Sequence, residues 1–97
     1  MDKMLYLNNL YDYYQNLLTE KQRIYFEEYY FNNLSLGEIS ENYNISRNAV
    51  FNQLKIIEKK LNEYENILQL YKKKNKIIYI LKDKLNEKEL KEIEELL

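Results

Sequence analysis

Apolar residues recur along this chain at spacings of three and four, the period of an α-helix that turns one face to a core. Over residues 2–17 they fall at Leu7, Leu10, Tyr11, Tyr14 and Leu17, with Leu18 just beyond, and predict a first helix. Tyr6 and Tyr13 lie off that stripe and read as partly exposed surface cover. Thr19 followed by Gln22 predicts a capping box, framed by Leu18 and Arg23, which opens a second helix running to about Asn32. That helix carries Ile24, Tyr25, Phe26, Tyr29, Tyr30 and Phe31, an apolar sector too broad for one-sided packing. It is expected at the centre of the molecule, with the first helix on one side and the following segment on the other. Its aromatic rings read as core rather than as a platform for stacked bases, because they lie at helical spacing in a chain that needs core.

The most specific pattern spans residues 35–61, where two helices joined by a very short turn are predicted. Ser35 and Glu38 form a capping box. About two turns later Tyr43-Asn44-Ile45 interrupts the helix, and Asn tolerates the left-handed backbone that a tight turn between helices requires. Ser46 then caps the next helix. Leu36, Ile39, Tyr43, Ile45, Ala49, Val50 and Leu54 supply the apolar wedge that fixes the crossing angle, which makes the segment a helix-turn-helix.

Past Ser46 the apolar positions Val50, Leu54, Ile57, Leu61, Tyr64, Leu68 and Tyr71 alternate four and three apart, the seam of a coiled coil. One helix from about Arg47 to Tyr71 extends roughly 35 Å and outreaches the small core it starts in. Its far half needs cover, either from the C-terminal segment folding back or from a second copy of the chain. Lys72-Lys-Lys-Asn-Lys76 is expected to separate this rod from a helical tail over 75–97, as a solvated helix end. The tail offers Ile77 to Leu81, Leu85, Leu90, Ile93, Leu96 and Leu97, and Asn86 with Glu89 predicts a cap and a final helix.

Composition sharpens the fold class. With no proline and one glycine, Gly37, only capping signals interrupt helices, so the expected fold is all-α. At 97 residues and 12.0 kDa the chain is expected to form one domain over 1–97, burying roughly two-thirds of its unfolded surface. Cysteine and histidine are absent, so disulfides, thiol chemistry and the usual zinc sites are excluded. No metal, no cofactor and no catalytic residue is expected, and the chain does not read as an enzyme. The opening Met1-Asp-Lys-Met-Leu-Tyr lacks the apolar core of a signal peptide and no stretch has the length of a membrane span, so a cytoplasmic protein is expected.

The formal net charge of −1 hides an uneven distribution. Residues 1–45 carry three basic and seven acidic groups, residues 46–76 eight basic and three acidic, and residues 77–97 four basic and six acidic. The middle third is therefore positive, which is what phosphate contact needs, although the pI near 5.6 is not that of a strongly cationic binder. On the second helix of the motif, Asn48, Asn52, Lys55 and Lys59 share the face opposite the seam, with Ser46, Arg47 and Phe51 at its start. In helix-turn-helix proteins that part of the second helix lies in the major groove. Asn pairs with adenine N6 and N7, Arg with guanine O6 and N7, a phenyl ring meets a thymine methyl, and lysines meet phosphates. The competing expectation is that the motif is a packing device whose polar face meets water or another protein.

Leu18-Thr-Glu-Lys-Gln-Arg23, Tyr25, Tyr29-Tyr30, Leu34-Ser-Leu-Gly-Glu-Ile39, Ser46-Arg-Asn-Ala-Val50, Glu58-Lys59, Leu61, Tyr64-Glu65 and Leu70-Tyr71 together resemble the YlxM-type family of small bacterial helix-turn-helix proteins. The motif itself is similar to region 4 of bacterial sigma factors, with Asn44 where such turns usually have Gly and Ser40 where a small Ala or Gly packs. The resemblance implies an all-helical, homodimeric, cytoplasmic protein whose genes neighbour that of the signal recognition particle GTPase. It also implies Ser46, Arg47, Asn48, Asn52 and Lys55 as sigma-like reading residues. Two functions are carried forward. One is a DNA-binding regulatory protein linked to the signal recognition particle pathway. The other is a module that associates with that particle through protein or RNA without reading DNA sequence.

Overall fold

The computed structural model describes residues 2–97 as helices α1 (Lys3–Tyr14), α2 (Glu20–Tyr30), α3 (Leu36–Tyr43), α4 (Arg47–Leu68), α5 (Leu70–Leu81) and α6 (Glu87–Leu96), with a 3-10 turn over Gln15–Leu17. The fold is all-α. Both predicted capping boxes, Thr19 with Gln22 and Ser35 with Glu38, close in both directions, and the cap predicted at Asn86 is also a full capping box with Glu89. These pairs satisfy first-turn amides that a helix cannot satisfy itself. Asp2 adds a cap to α1, accepting the Met4 N–H at 3.1 Å. Arg23 donates to the Leu18 carbonyl at 2.8 Å and to the Gln15 carbonyl at 3.4 Å, which fixes the corner between α1 and α2.

The core gathers Leu7, Leu10, Tyr11 and Tyr14 from α1, Tyr25, Phe26 and Tyr30 from α2, Ile39 from α3, and Val50, Leu54, Ile57 and Leu61 from α4. Tyr11 stacks on Phe26 with ring centroids 4.3 Å apart, and Phe26 on Tyr30 at 4.5 Å. Fully burying such side chains stabilises by about 1.5–3 kcal/mol each, offset by ordering entropy. The axis of this core is α4, on which α1, α2 and α3 all pack, rather than α2 as its broad apolar sector suggested. The reason is length: α4 has 22 residues against 11 in α2, so one stripe can serve three neighbours in succession. Ile24 of α2 and Phe31 at its C-cap stay exposed, as do Leu17 in the 3-10 turn and Tyr43, which leans edge-on against Tyr25 at 5.5 Å.

The expected rod from 47 to 71 is broken. Helix α4 ends at Leu68 because Gln69 adopts the left-handed conformation, φ 56° and ψ 29°. The break is held by Glu65, which is buried and serves as the cap of α5. Its carboxylate accepts the Tyr14 hydroxyl at 2.6 Å and the N–H groups of Tyr71 at 3.1 Å and Lys72 at 3.0 Å. The Tyr14 oxygen in turn accepts the Leu70 N–H at 3.1 Å. Tyr71 thereby leaves the seam, and Lys72 to Lys76 lie inside α5 rather than between helices. One side of the far half of α4 is covered by α1 and the 3-10 turn after it, through the Tyr14 and Tyr64 rings and a Tyr64 hydroxyl bond to the Leu17 carbonyl at 3.2 Å. Helix α5 adds contacts with α1 and with the end of α4, while Ile67 and Leu68 stay exposed. Helices α5 and α6 pair as a hairpin with no buried residue in either, and the molecule measures 52 × 25 × 23 Å.

The buried tyrosines set an alkaline limit on stability. Burial, then the bond to Glu65, pushes the Tyr14 hydroxyl up to about 12, and burial followed by the bond to Glu58 also raises Tyr30. Below the ordinary tyrosine value of 10.0 both the folded and the unfolded chain keep these protons. Above it only the unfolded chain loses them freely, so stability declines as pH rises from there through the folded value. A melting temperature that is flat near neutrality and falls above about pH 10, in step with tyrosinate absorbance, is the expected result.

Candidate nucleic-acid interface

The turn between α3 and α4 is built as its residue types require. Asn44 takes φ 55° and ψ 47°, the Ile45 N–H donates to the Ser40 carbonyl at 3.1 Å, and Ser46 accepts the Ala49 N–H at 3.0 Å. Where the helices cross, Ile39 and Val50 are fully buried and the small Ser40 tucks in, its hydroxyl donating to the Gly37 carbonyl at 2.7 Å. The start of α4 is thus held rigidly against α3.

Asn48, Asn52, Lys55 and Lys59 project from the side of α4 opposite Val50, Leu54, Ile57 and Leu61, and all four are exposed. Ser46, Arg47 and Phe51 are exposed beside them. The Arg47 side chain lies across Gly37 at the start of α3, where an added Cβ would stand 2.9 Å from its Nη2. The missing side chain at position 37 therefore leaves the lane that this guanidinium occupies. Among the described residues Arg47 makes no ion pair. Lys55 is less free: its ammonium lies 3.5 Å from Glu58 and 5.3 Å from the centre of the Phe51 ring. Glu58 also holds Lys3 at 3.5 Å and the Tyr30 hydroxyl at 2.5 Å.

Two acids were not anticipated at these places. The role of Glu58 was legible in its spacing of three from Lys55, which puts the two on neighbouring turns. Glu65 gave no such signal, since its partners come from α1 and from the start of α5. On α3 the Ser35 N–H, donating to the Glu38 carboxylate, holds that group below its ordinary range; α3 carries no Lys or Arg, so the positive charge of the motif lies on α4. Phe51 and Lys55 also border an open cavity of about 360 Å³ shared with Lys3, Tyr29, Leu36 and Leu54. Among the described residues no cluster of His, Cys, Asp and Glu has the makings of a metal site, and no helix is long and apolar enough to cross a membrane.

Comparison with known proteins agrees with this geometry. The family model described as "UPF0122: Putative helix-turn-helix protein, YlxM / p13 like" matches residues 1–97. A UPF0122 protein of Halalkalibacterium halodurans is 46% identical over 86 residues, covering 86% of this chain and 79% of the relative. UPF0122 proteins of Bacillus mycoides and Bacillus thuringiensis are 42% and 41% identical over 92 residues, covering 92% of this chain and 84% of each relative.

Proposed function

Because the chain belongs to the YlxM/p13-like family of helix-turn-helix proteins, UPF0122, we propose that it grips nucleic acid with the start of α4 and serves as a non-enzymatic, cytoplasmic DNA-binding regulator. The observation that carries this reading is the exposed stripe of Asn48, Asn52, Lys55 and Lys59 beside Arg47, which among the described residues makes no ion pair. In this reading Arg47 pairs with guanine, Asn48 and Asn52 with adenine, and Phe51 meets a thymine methyl. Ser46, Lys55 and Lys59 meet phosphates and set the register of α4 on the duplex. Binding of duplex DNA, followed by fluorescence anisotropy at several salt concentrations, tests it. With Arg47, Lys55 and Lys59 on phosphates or base edges, log K is expected to fall with log salt at a slope of about −2 to −3. Affinity that ignores salt, or no affinity, ends the proposal.

The proposal includes a homodimer that presents two reading helices. Its support is the end of the molecule away from Arg47, where Ile67, Tyr79 and Leu96 are 78%, 69% and 82% exposed, with Leu68, Leu70, Ile80 and Leu97 also open. Sedimentation is expected to give twice the 12.0 kDa chain mass, and Ile80→Lys to return the single chain. A wild type that sediments as a single chain at every concentration removes the dimer. The same tyrosine-bearing apolar end favours a second reading, association with the signal recognition particle. Pull-down with the particle's GTPase and RNA, each omitted in turn, tests it, and absence from every combination rejects it.

A further inference from the structure

The elbow where α4 hands over to α5 encloses an open cavity of about 370 Å³, bordered by Tyr6, Asn66, Gln69, Tyr71, Lys72 and Asn75. It lies at the C-terminal end of the 22-residue α4, roughly 30 Å along the axis from Arg47. The site is therefore separate from the reading stripe, and the inference does not rest on that stripe's function.

The Tyr6 and Tyr71 rings meet edge to face at 5.8 Å and form an aromatic wall. Asn66, Gln69 and Asn75 bring three carboxamides to one opening, and among the described residues none of these side chains has a hydrogen-bond partner. Each carboxamide offers both a donor and an acceptor. Glu65 forms the floor, but its oxygens are already engaged by Tyr14, Tyr71 and Lys72, so it holds the elbow rather than the guest.

Cations continue from the rim. Lys72, Asn75 and Lys76 lie at spacings that put them on one side of α5, all three are exposed, and α5 contains no acidic residue. Lys72 to Lys74 sit in the first turns of that helix, where the macrodipole opposes positive charge, so helix stability does not account for them. The first-turn amides are taken by Glu65 and Tyr14, which leaves the lysine side chains as the groups that meet an anion.

We propose that the elbow holds one unstacked nucleotide of a single-stranded nucleic acid, its base among the three carboxamides against the tyrosine wall and its phosphates on Lys72 and Lys76. Single-stranded binders combine a basic track with aromatic surfaces, and unpaired bases are read by amide groups along their edges. The volume lies within the range of small-molecule sites, about 300–1,000 Å³. A duplex cannot use the cavity, because its bases are paired and stacked.

The test is an NMR titration of the full chain with single-stranded RNA, single-stranded DNA of the same sequence, and the corresponding duplex. Single strands are expected to move the side-chain amide signals of Asn66, Gln69 and Asn75, and the duplex to leave them in place. Asn66→Ala with Asn75→Ala, both at exposed positions, is expected to weaken single-strand binding about tenfold and to leave duplex binding unchanged. Lys72→Ala with Lys76→Ala is expected to flatten the salt dependence for single strands by about 1.4 in slope. Tighter binding of RNA places the 2′-hydroxyl in the cavity, and equal binding assigns recognition to base and phosphate; either result supports the site. Amide signals that stay still while single strands bind elsewhere, or alanine variants that bind single strands like the wild type, overturn it. A chain that moves these signals but ignores duplex DNA keeps this site and loses the role proposed for α4.

Discussion

Glu65→Ala is expected to lower the unfolding free energy by about 3 kcal/mol, the largest effect of any single polar substitution in the molecule. The carboxylate accepts from Tyr14 and from the Tyr71 and Lys72 amides, so its removal orphans three donors where α1, α4 and α5 meet. Each lost charge-assisted bond is worth about 1.5–3 kcal/mol before relaxation, and water entering the elbow recovers part of the sum. Glu65→Gln keeps the shape and one acceptor oxygen, and is expected to cost about half as much. Chemical denaturation measures the loss. Hydrogen exchange locates it, with the Tyr71 and Lys72 amides expected to lose protection before the amides of Ile57 and Leu61. An unchanged midpoint for Glu65→Ala would show that the buried carboxylate does not hold the α4–α5 break.

Arg47→Ala combined with Asn52→Ala is expected to weaken duplex binding by about 2–6 kcal/mol, taking 1–3 kcal/mol for each base-reading side chain. Both residues are exposed, so the folded state is expected to keep its stability within about 0.5 kcal/mol. That separation matters, because a binding loss with an intact melting curve cannot be blamed on unfolding. Lys59→Ala acts differently: as a phosphate contact it is expected to weaken all duplexes alike and to reduce the salt slope by about 1. Lys55→Ala is expected to do less than Lys59→Ala, since Lys55 shares its charge with Glu58.

The helix-turn-helix was legible because its signals are local. Ser35 with Glu38, Asn44 and Ser46 each act on backbone within four residues, and the structure places every one of them as its chemistry requires. The exposed stripe was legible for the same reason, since helical period alone separates Asn48 and Asn52 from Val50 and Leu54. The end of α4 was not. Gln69 is not a residue type that announces a left-handed turn, and the cap that rewards the break comes from Glu65 with help from Tyr14, 51 residues earlier in the chain. The seam therefore read on through Tyr71 as if nothing intervened. The centre of the fold was misplaced on α2 because aromatic content spoke louder there than length. Only the packing shows that α4 serves three neighbours while Ile24 and Phe31 face outward. The way Arg47 crosses Gly37 is likewise a matter of two helices meeting, beyond the reach of either helix's own pattern.

The most direct measurement is the response of the Asn48 and Asn52 side-chain amide signals as duplex DNA is added to the full chain. If the start of α4 is the gripping surface, both signals move as the complex forms and return when salt is raised. Signals that stay in place while DNA binds elsewhere on the molecule, or DNA that does not bind at all, would contradict it.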